Sequence, residues 1–297
     1  MKQLALIGST ASGKTALSIR LAKKLDAYIL SLDSLSIYKE IDIASAKPTL
    51  KEREGILHFG IDEISPAESF DVTTYIKLYK YAHSNALNDQ KNLIIVGGTS
   101  FYLKILLEGI SDLPTISIDT QKKRNYMLKN LDESYTMLLN LDSDYMENIK
   151  PRDSYRIEKA LDIYLETGMP PSEYFKENPP MPIIAGEMPI YEIMTDRGSL
   201  RKKIILRAVK MLESGLIDET CALEKSYGRA PKCMKSIGIK ETLCFLDGYY
   251  NQKSLVEKIS INTGRLAKRQ SSFNQSQFKQ TVKGSVKDIY SKVTTGL

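Results

Sequence analysis

Residues 2–25 read KQLALIGSTASGKTALSIRLAKKL, and the fold follows from how that stretch is parsed. Residues 2–7 are a short apolar run of strand length, and residues 8–13 a turn bounded by glycines. Leu17, Leu21 and Leu25 then recur every fourth residue, as one face of a helix requires. Between that strand and that helix, Gly8-Ser9-Thr10-Ala11-Ser12-Gly13-Lys14-Thr15 satisfies G-x-x-x-x-G-K-[ST] in full. The glycines let backbone N–H groups curl around an anion, and the following helix turns its positive end to the same point. Lys14 is expected to neutralise phosphate oxygens and the Thr15 hydroxyl to ligate Mg²⁺. A diphosphate or triphosphate is therefore the expected ligand of residues 8–15.

Two further apolar runs extend the pattern. Residues 28–32 stop at Asp33-Ser34, and residues 93–96 stop at Gly97-Gly98-Thr99 before an apolar helical stretch, 100–107. Short all-apolar strands alternating with helices predict an α/β fold: a P-loop-type parallel sheet covered on both faces, with ligands beyond the carboxyl ends of the strands. From Pro114 the chain turns tyrosine-rich, charged and helical over 120–130 and 153–167. Residues 178–182, NPPMP, read as a linker, and 189–194 as one more strand. Everything from Asp196 onward reads as helix, with breaks at residues 228–231 and around Asp247-Gly248. The expected organisation is a core of residues 1–113 and 183–297 ending in C-terminal helices, with a helical insertion domain over 114–182.

A chain of 297 residues, 42% hydrophobic and 26% charged, has the composition of a globular protein, and no window approaches 18 consecutive apolar residues. It is expected to be a cytoplasmic monomer with no membrane partner. Three widely spaced cysteines and two histidines predict reduced thiols and no structural metal. The net charge of +6 is unevenly placed: residues 225–297 carry 14 basic and 4 acidic side chains, the rest 28 and 32. Such a basic end either holds phosphate backbones or is a solvated lysine-rich surface.

The P-loop alone does not say which bond breaks. A nucleotide hydrolase would want an apolar strand ending in an acid that holds Mg²⁺, yet the 93–96 strand ends in Gly97-Gly98-Thr99. The strand-end carboxylate is instead Asp33, which either caps its turn or takes a proton from an attacking nucleophile. Thr99 offers a hydroxyl or merely completes a tight turn. These residues alone are also compatible with a small-molecule or nucleotide kinase, in which Asp33 would deprotonate an acceptor alcohol.

Taken in order, several elements resemble the signatures of the bacterial tRNA dimethylallyltransferase family. They are the P-loop, Asp33-Ser34-Leu35-Ser36 with Tyr38 and residues 43–48 (IASAKP), residues 95–103 (IVGGTSFYL), 153–162 (DSYRIEKALD), 236–241 (SIGIKE) and 266–270 (LAKRQ). The resemblance spans nearly the whole chain. It implies transfer of a dimethylallyl group from dimethylallyl diphosphate to N6 of adenosine 37, beside the anticodon, in tRNAs reading codons that begin with U. It further implies that Asp33 takes the amine proton, that Thr99 lies near the acceptor, and that residues 33–36 touch the tRNA. Arg156 and Lys159 on the insertion, and Lys235, Lys240, Lys268 and Arg269 in the basic end, match tRNA-contacting segments.

The chain also departs from the family pattern. Ser9 replaces the usual proline, Ser36 a glutamine, and Ser45 a threonine. Lys203 stands for the first arginine of an R-I-x-x-R pattern, with Arg207 matching the second. Gly264, Phe273 and Gln275 replace an arginine, a tryptophan and another arginine.

Overall fold

A computed structural model describes residues 1–295. The chain divides into two compact units, one of residues 1–106 with 184–297 and one of residues 107–183. The first is built on a six-stranded sheet: β1 (Gln3–Gly8), β2 (Ala27–Leu32), β3 (His58–Phe59), β4 (Asn92–Gly97), β5 (Ile190–Ile193) and β6 (Val282–Gly284). The strands lie in the order β3-β2-β4-β1-β5-β6 and every pairing is parallel. Leu6, Ile7, Leu30, Ile94 and Ile95 are fully buried, which is why the central strands show unbroken apolar runs rather than alternation.

Helix α1 (Lys14–Leu25) follows β1, and with the C-terminal helix Val286–Thr295 it covers the sheet face carrying Leu4, Leu6, Ile29, Ile94 and Val96. Leu17 and Leu21 are the buried face of the four-residue repeat; truncating either to alanine costs about 2–5 kcal/mol. The Val72–Asn88 helix lies against the opposite face, where the Tyr79 hydroxyl donates to Gln3 Oε1 at 3.0 Å.

The apolar runs 28–32, 93–96 and 189–194, expected to be strands, hold β2, β4 and β5. No run in the sequence marks β3 or β6. Two residues are too few to display a period, and β6 is an edge strand with Val282 and Lys283 exposed, so no apolar run announced it. The helices after Asp196 do break after Tyr227 and after Leu246, as expected, but the expectation of helix elsewhere fails at residues 282–284.

The second unit packs the Ile118–Met127, Leu131–Leu141 and Ser154–Thr167 helices around Leu138, Met146, Ile157, Ala160 and Leu161. Among the described residues, no helix is long and apolar enough to cross a membrane.

Candidate active site

The chain leaves β1 at Gly8 and enters α1 through Gly13, whose φ of +96° is a left-handed conformation that a side chain would strain. No side chain caps the first turn of α1 and no acidic residue lies in it, so its N–H groups and positive dipole end are left for a ligand. Within the loop, the Ser12 hydroxyl is buried with no hydrogen-bond partner. Lys14 Nζ donates to the Gly8 and Ser9 carbonyls at 2.9 and 2.7 Å, which orients the ammonium across the loop and leaves one of its three donors.

Two strand ends complete the setting. Leu32 pairs with Gly97, which brings Asp33 beside the Gly97-Gly98-Thr99 turn, and the Thr99 N–H donates to the Leu32 carbonyl at 3.0 Å. Asp33 does cap its turn: its Oδ1 accepts from the Leu35 and Ser36 N–H groups at 2.8 and 3.2 Å. It also lines the cavity, so capping and a chemical role are compatible. The Ser36 side chain is buried and occupied, 3.0 Å from Ser31 Oγ and donating to the Gly60 carbonyl at 3.3 Å.

These turns open on one cavity of about 640 Å³, whose lining includes Lys14, Thr15, Asp33, Thr99, Arg207 and Gln270. Thr10, Ala11 and Gly13 of the P-loop and Ser34, Leu35 and Ser36 also face it. Lys47 lines it too, but its ammonium is engaged by Asp42 at 2.6 Å, by Asp62 and by the Tyr38 carbonyl at 3.0 Å. Arg207 is different. It comes from the Arg197–Glu213 helix, and Nη2 donates to the Ser45 carbonyl at 3.2 Å. Burial pushes its guanidinium below its ordinary range, and the Asp33 carboxylate opposes that. Burial likewise pushes Lys14 down to about 8, with Asp33 acting against the shift and Arg207 adding to it. Lys14, Arg207 and Asp33 are thus within electrostatic reach of one another.

Arg207 and Gln270 were not singled out as site residues in the sequence. Gln270 Oε1 accepts the Thr10 N–H at 2.9 Å, and a methyl group at Gly98 would collide with its amide, so Gln270 joins the P-loop to the Gly97-Gly98-Thr99 turn. Helical spacing of Thr263, Leu266 and Gln270 was visible; which loops that face would meet was not. Tyr102, three residues after Thr99, is stacked on Tyr75 at 4.6 Å between ring centroids and belongs to the core.

A pH dependence arises from Lys14. Its charged form pairs with an anion, and in the free protein it loses the proton as pH rises through about 8. Binding of inorganic diphosphate is expected to weaken above pH 8, by up to about tenfold per pH unit. Titration calorimetry from pH 7 to 9.5 checks this. Lys14→Arg, which stays charged throughout, separates the effect from the ligand's own ionisation.

The remaining candidates lie apart from the cavity. Lys235 and Lys240 are exposed on either side of Ser236 and Ile237, which do reach it. Glu241 of the same element is structural: it accepts the Gly238 N–H at 2.7 Å and the Asn262 amide at 2.6 Å. Lys268 lines a second groove between the Arg197–Glu213 and Gln252–Gln277 helices, shared with Gly264 and Gln275, while Arg269 is exposed and lines neither cavity. In the second unit Arg156 is exposed and bonded to Asp153 at 2.9 Å, and Lys159 pairs with buried Asp162 at 3.1 Å.

Residues 36–277 match the family model described as IPP transferase. The chain is 62% identical to a tRNA dimethylallyltransferase of Sulfurovum sp. (strain NBC37-1), over 97% of its own length and 96% of the relative's. Its fold is similar to that of a tRNA isopentenylpyrophosphate transferase from Staphylococcus epidermidis, with a TM-score of 0.69 and 30% identity over 100% and 98% of the two chains. A eukaryotic dimethylallyltransferase captured acting on tRNA aligns with a TM-score of 0.84 and 26% identity, over 98% of this chain and 76% of that one.

Proposed function

The chain belongs to the IPP transferase family, and on that premise we propose that it moves a dimethylallyl group from dimethylallyl diphosphate to N6 of adenosine 37 in tRNAs that read codons beginning with U. One observation carries the chemistry: a P-loop anion cradle and a strand-end carboxylate open on the same cavity. The bond from the allylic carbon to the diphosphate oxygen breaks, a bond from N6 to that carbon forms, and the amine proton passes to Asp33. The loop N–H groups, Lys14 and Arg207 face the negative charge that grows on the departing diphosphate, where preorganised donors have their largest effect. The Thr99 hydroxyl orients the acceptor. The adenine enters unstacked, since its N6 cannot reach Asp33 while it remains in the anticodon-loop stack.

The donor set fits magnesium. Thr15 offers a hydroxyl at the start of α1, and Mg²⁺ commonly takes one or two protein oxygens and completes its shell with phosphate and water. Among the described residues no cluster of three or more His, Cys, Asp or Glu could hold a metal, so Thr15 would hold an ion that arrives with the diphosphate. Once bound, the ion supplies charge neutralisation of the leaving group.

The enzyme acts as a cytoplasmic monomer, with residues 33–36, the 107–183 unit through Arg156 and Lys159, and the basic C-terminal quarter through Lys235, Lys240, Lys268 and Arg269 contacting the anticodon stem-loop. Lys268→Ala with Arg269→Ala is expected to weaken tRNA binding and reduce its salt slope by about 1 to 2, measured by filter binding between 50 and 200 mM salt. An unchanged slope would move the contact surface elsewhere. The activity itself is tested by incubating the protein with labelled dimethylallyl diphosphate, Mg²⁺ and unmodified tRNA. Label on an adenosine beside the anticodon is expected; transfer of the γ-phosphate of ATP to a small acceptor would favour a kinase.

A further inference from the structure

The segment between β2 and β3 that walls the cavity has little regular structure of its own, yet it supplies the Ser45 carbonyl that Arg207 holds. Its fixed point lies outside the cavity. The Glu219 carboxylate, on the Leu216–Tyr227 helix, accepts three successive backbone N–H groups: Asp42 at 2.8 Å, Ile43 at 2.6 Å and Ala44 at 2.9 Å. Three consecutive N–H groups converging on one anion form a nest, and a carboxylate filling it makes charge-assisted bonds that are shorter and stronger than neutral ones. Farther along the same helix, the Tyr227 hydroxyl donates to Glu40 Oε1 at 2.6 Å, so the helix grips the segment twice. The residue after the nest is Ser45, whose carbonyl accepts Arg207 Nη2 at 3.2 Å.

We propose that Glu219 is a positioning residue for the transfer reaction: by locking residues 42–44 it fixes the Ser45 carbonyl, and through it the Arg207 guanidinium at the diphosphate. This rests on the transferase activity proposed above. Glu219 is not among the residues lining the cavity, so it acts only through the segment it holds. Arg207 has a long, flexible side chain and, when its guanidinium is not oriented, contributes charge but not the aligned donors that distinguish the transition state from the ground state. Lys47, on the same segment, does not substitute, because its ammonium is already bound to Asp42, Asp62 and the Tyr38 carbonyl.

The test is a double-mutant cycle on the full chain, combining Glu219→Gln with Arg207→Ala and reading both turnover and affinity for inorganic diphosphate. In the Arg207 background, Glu219→Gln is expected to lower kcat about 10-fold or more and to weaken diphosphate binding, with tRNA affinity unchanged. In the Arg207→Ala background the same change is expected to alter either quantity less than 2-fold. Glu219→Asp, which keeps the charge, should recover part of the loss. Equal factors in both backgrounds, or a loss confined to tRNA binding, would overturn the proposal. If Glu219→Gln does not fold, the cycle is run with Glu219→Asp, and the same coupling decides it. Wild-type protein that transfers no dimethylallyl group defeats the proposed activity itself, whereas active wild type without coupling defeats only the role of Glu219.

Discussion

Replacing Asp33 with asparagine is expected to slow transfer by two to four orders of magnitude while leaving binding of tRNA and of diphosphate close to wild type. The reason is that asparagine keeps the hydrogen bonds the side chain makes to its own turn and removes the carboxylate proposed to take the proton. An amide oxygen still accepts the Leu35 and Ser36 N–H groups that Asp33 Oδ1 now accepts, so the turn after β2 survives. The amide cannot take a proton from N6, and an aromatic amine is a weak nucleophile unless a positioned base relieves it; such bases contribute about 10² to 10⁴ in rate. Single-turnover measurement with saturating tRNA isolates the chemical step. A rate within a few-fold of wild type would remove Asp33 as the base and leave it only its capping role.

The second large effect falls on the other end of the cavity. Lys14→Met is expected to lower kcat/KM by about 10³, near 4 kcal/mol of lost transition-state stabilisation, with much of the loss appearing in diphosphate affinity. Stability should move little. Burial already disfavours the charged ammonium in the ligand-free protein, holding its pKa near 8, so at pH 7 the charge works against folding and its removal relieves that cost. The lost bonds to the Gly8 and Ser9 carbonyls act in the opposite direction. Thermal denaturation together with diphosphate titration separates the two contributions. A variant that folds, binds diphosphate normally and transfers at wild-type rate would remove Lys14 from the leaving-group site. The two variants also differ in kind: Asp33→Asn spares diphosphate binding and Lys14→Met does not.

The parts legible in the sequence share one property: each is encoded within a few consecutive residues. The apolar runs that became β1, β2, β4 and β5 are short, continuous and stopped by turn residues, so burial on both faces could be read from them directly. The P-loop was legible because glycine spacing, Lys14 and Thr15 lie in one eight-residue window. Ser36 illustrates the converse. In sequence it is only a departure from the family's glutamine; its engagement by Ser31 Oγ and the Gly60 carbonyl depends on β2 and β3 being neighbours. The same holds for the basic side chains, which look alike in one dimension. Lys47 is locked among two carboxylates and a carbonyl, Lys159 is paired with buried Asp162, and Lys268 faces a different groove from Asp33.

By itself, then, the amino-acid sequence determined a parallel α/β core, a P-loop motif at residues 8–15 and an acid at the next strand end, because local chain geometry and short-range spacing suffice for each. Tertiary structure decided which distant groups join them. Arg207 and Gln270 stand 174 and 237 residues from Asp33 along the chain, and Glu219 works on a segment about 175 residues before it. Their convergence comes from helices that pack across the ends of the strands, and non-local packing of that kind leaves no periodic or spaced signature in any single stretch of chain.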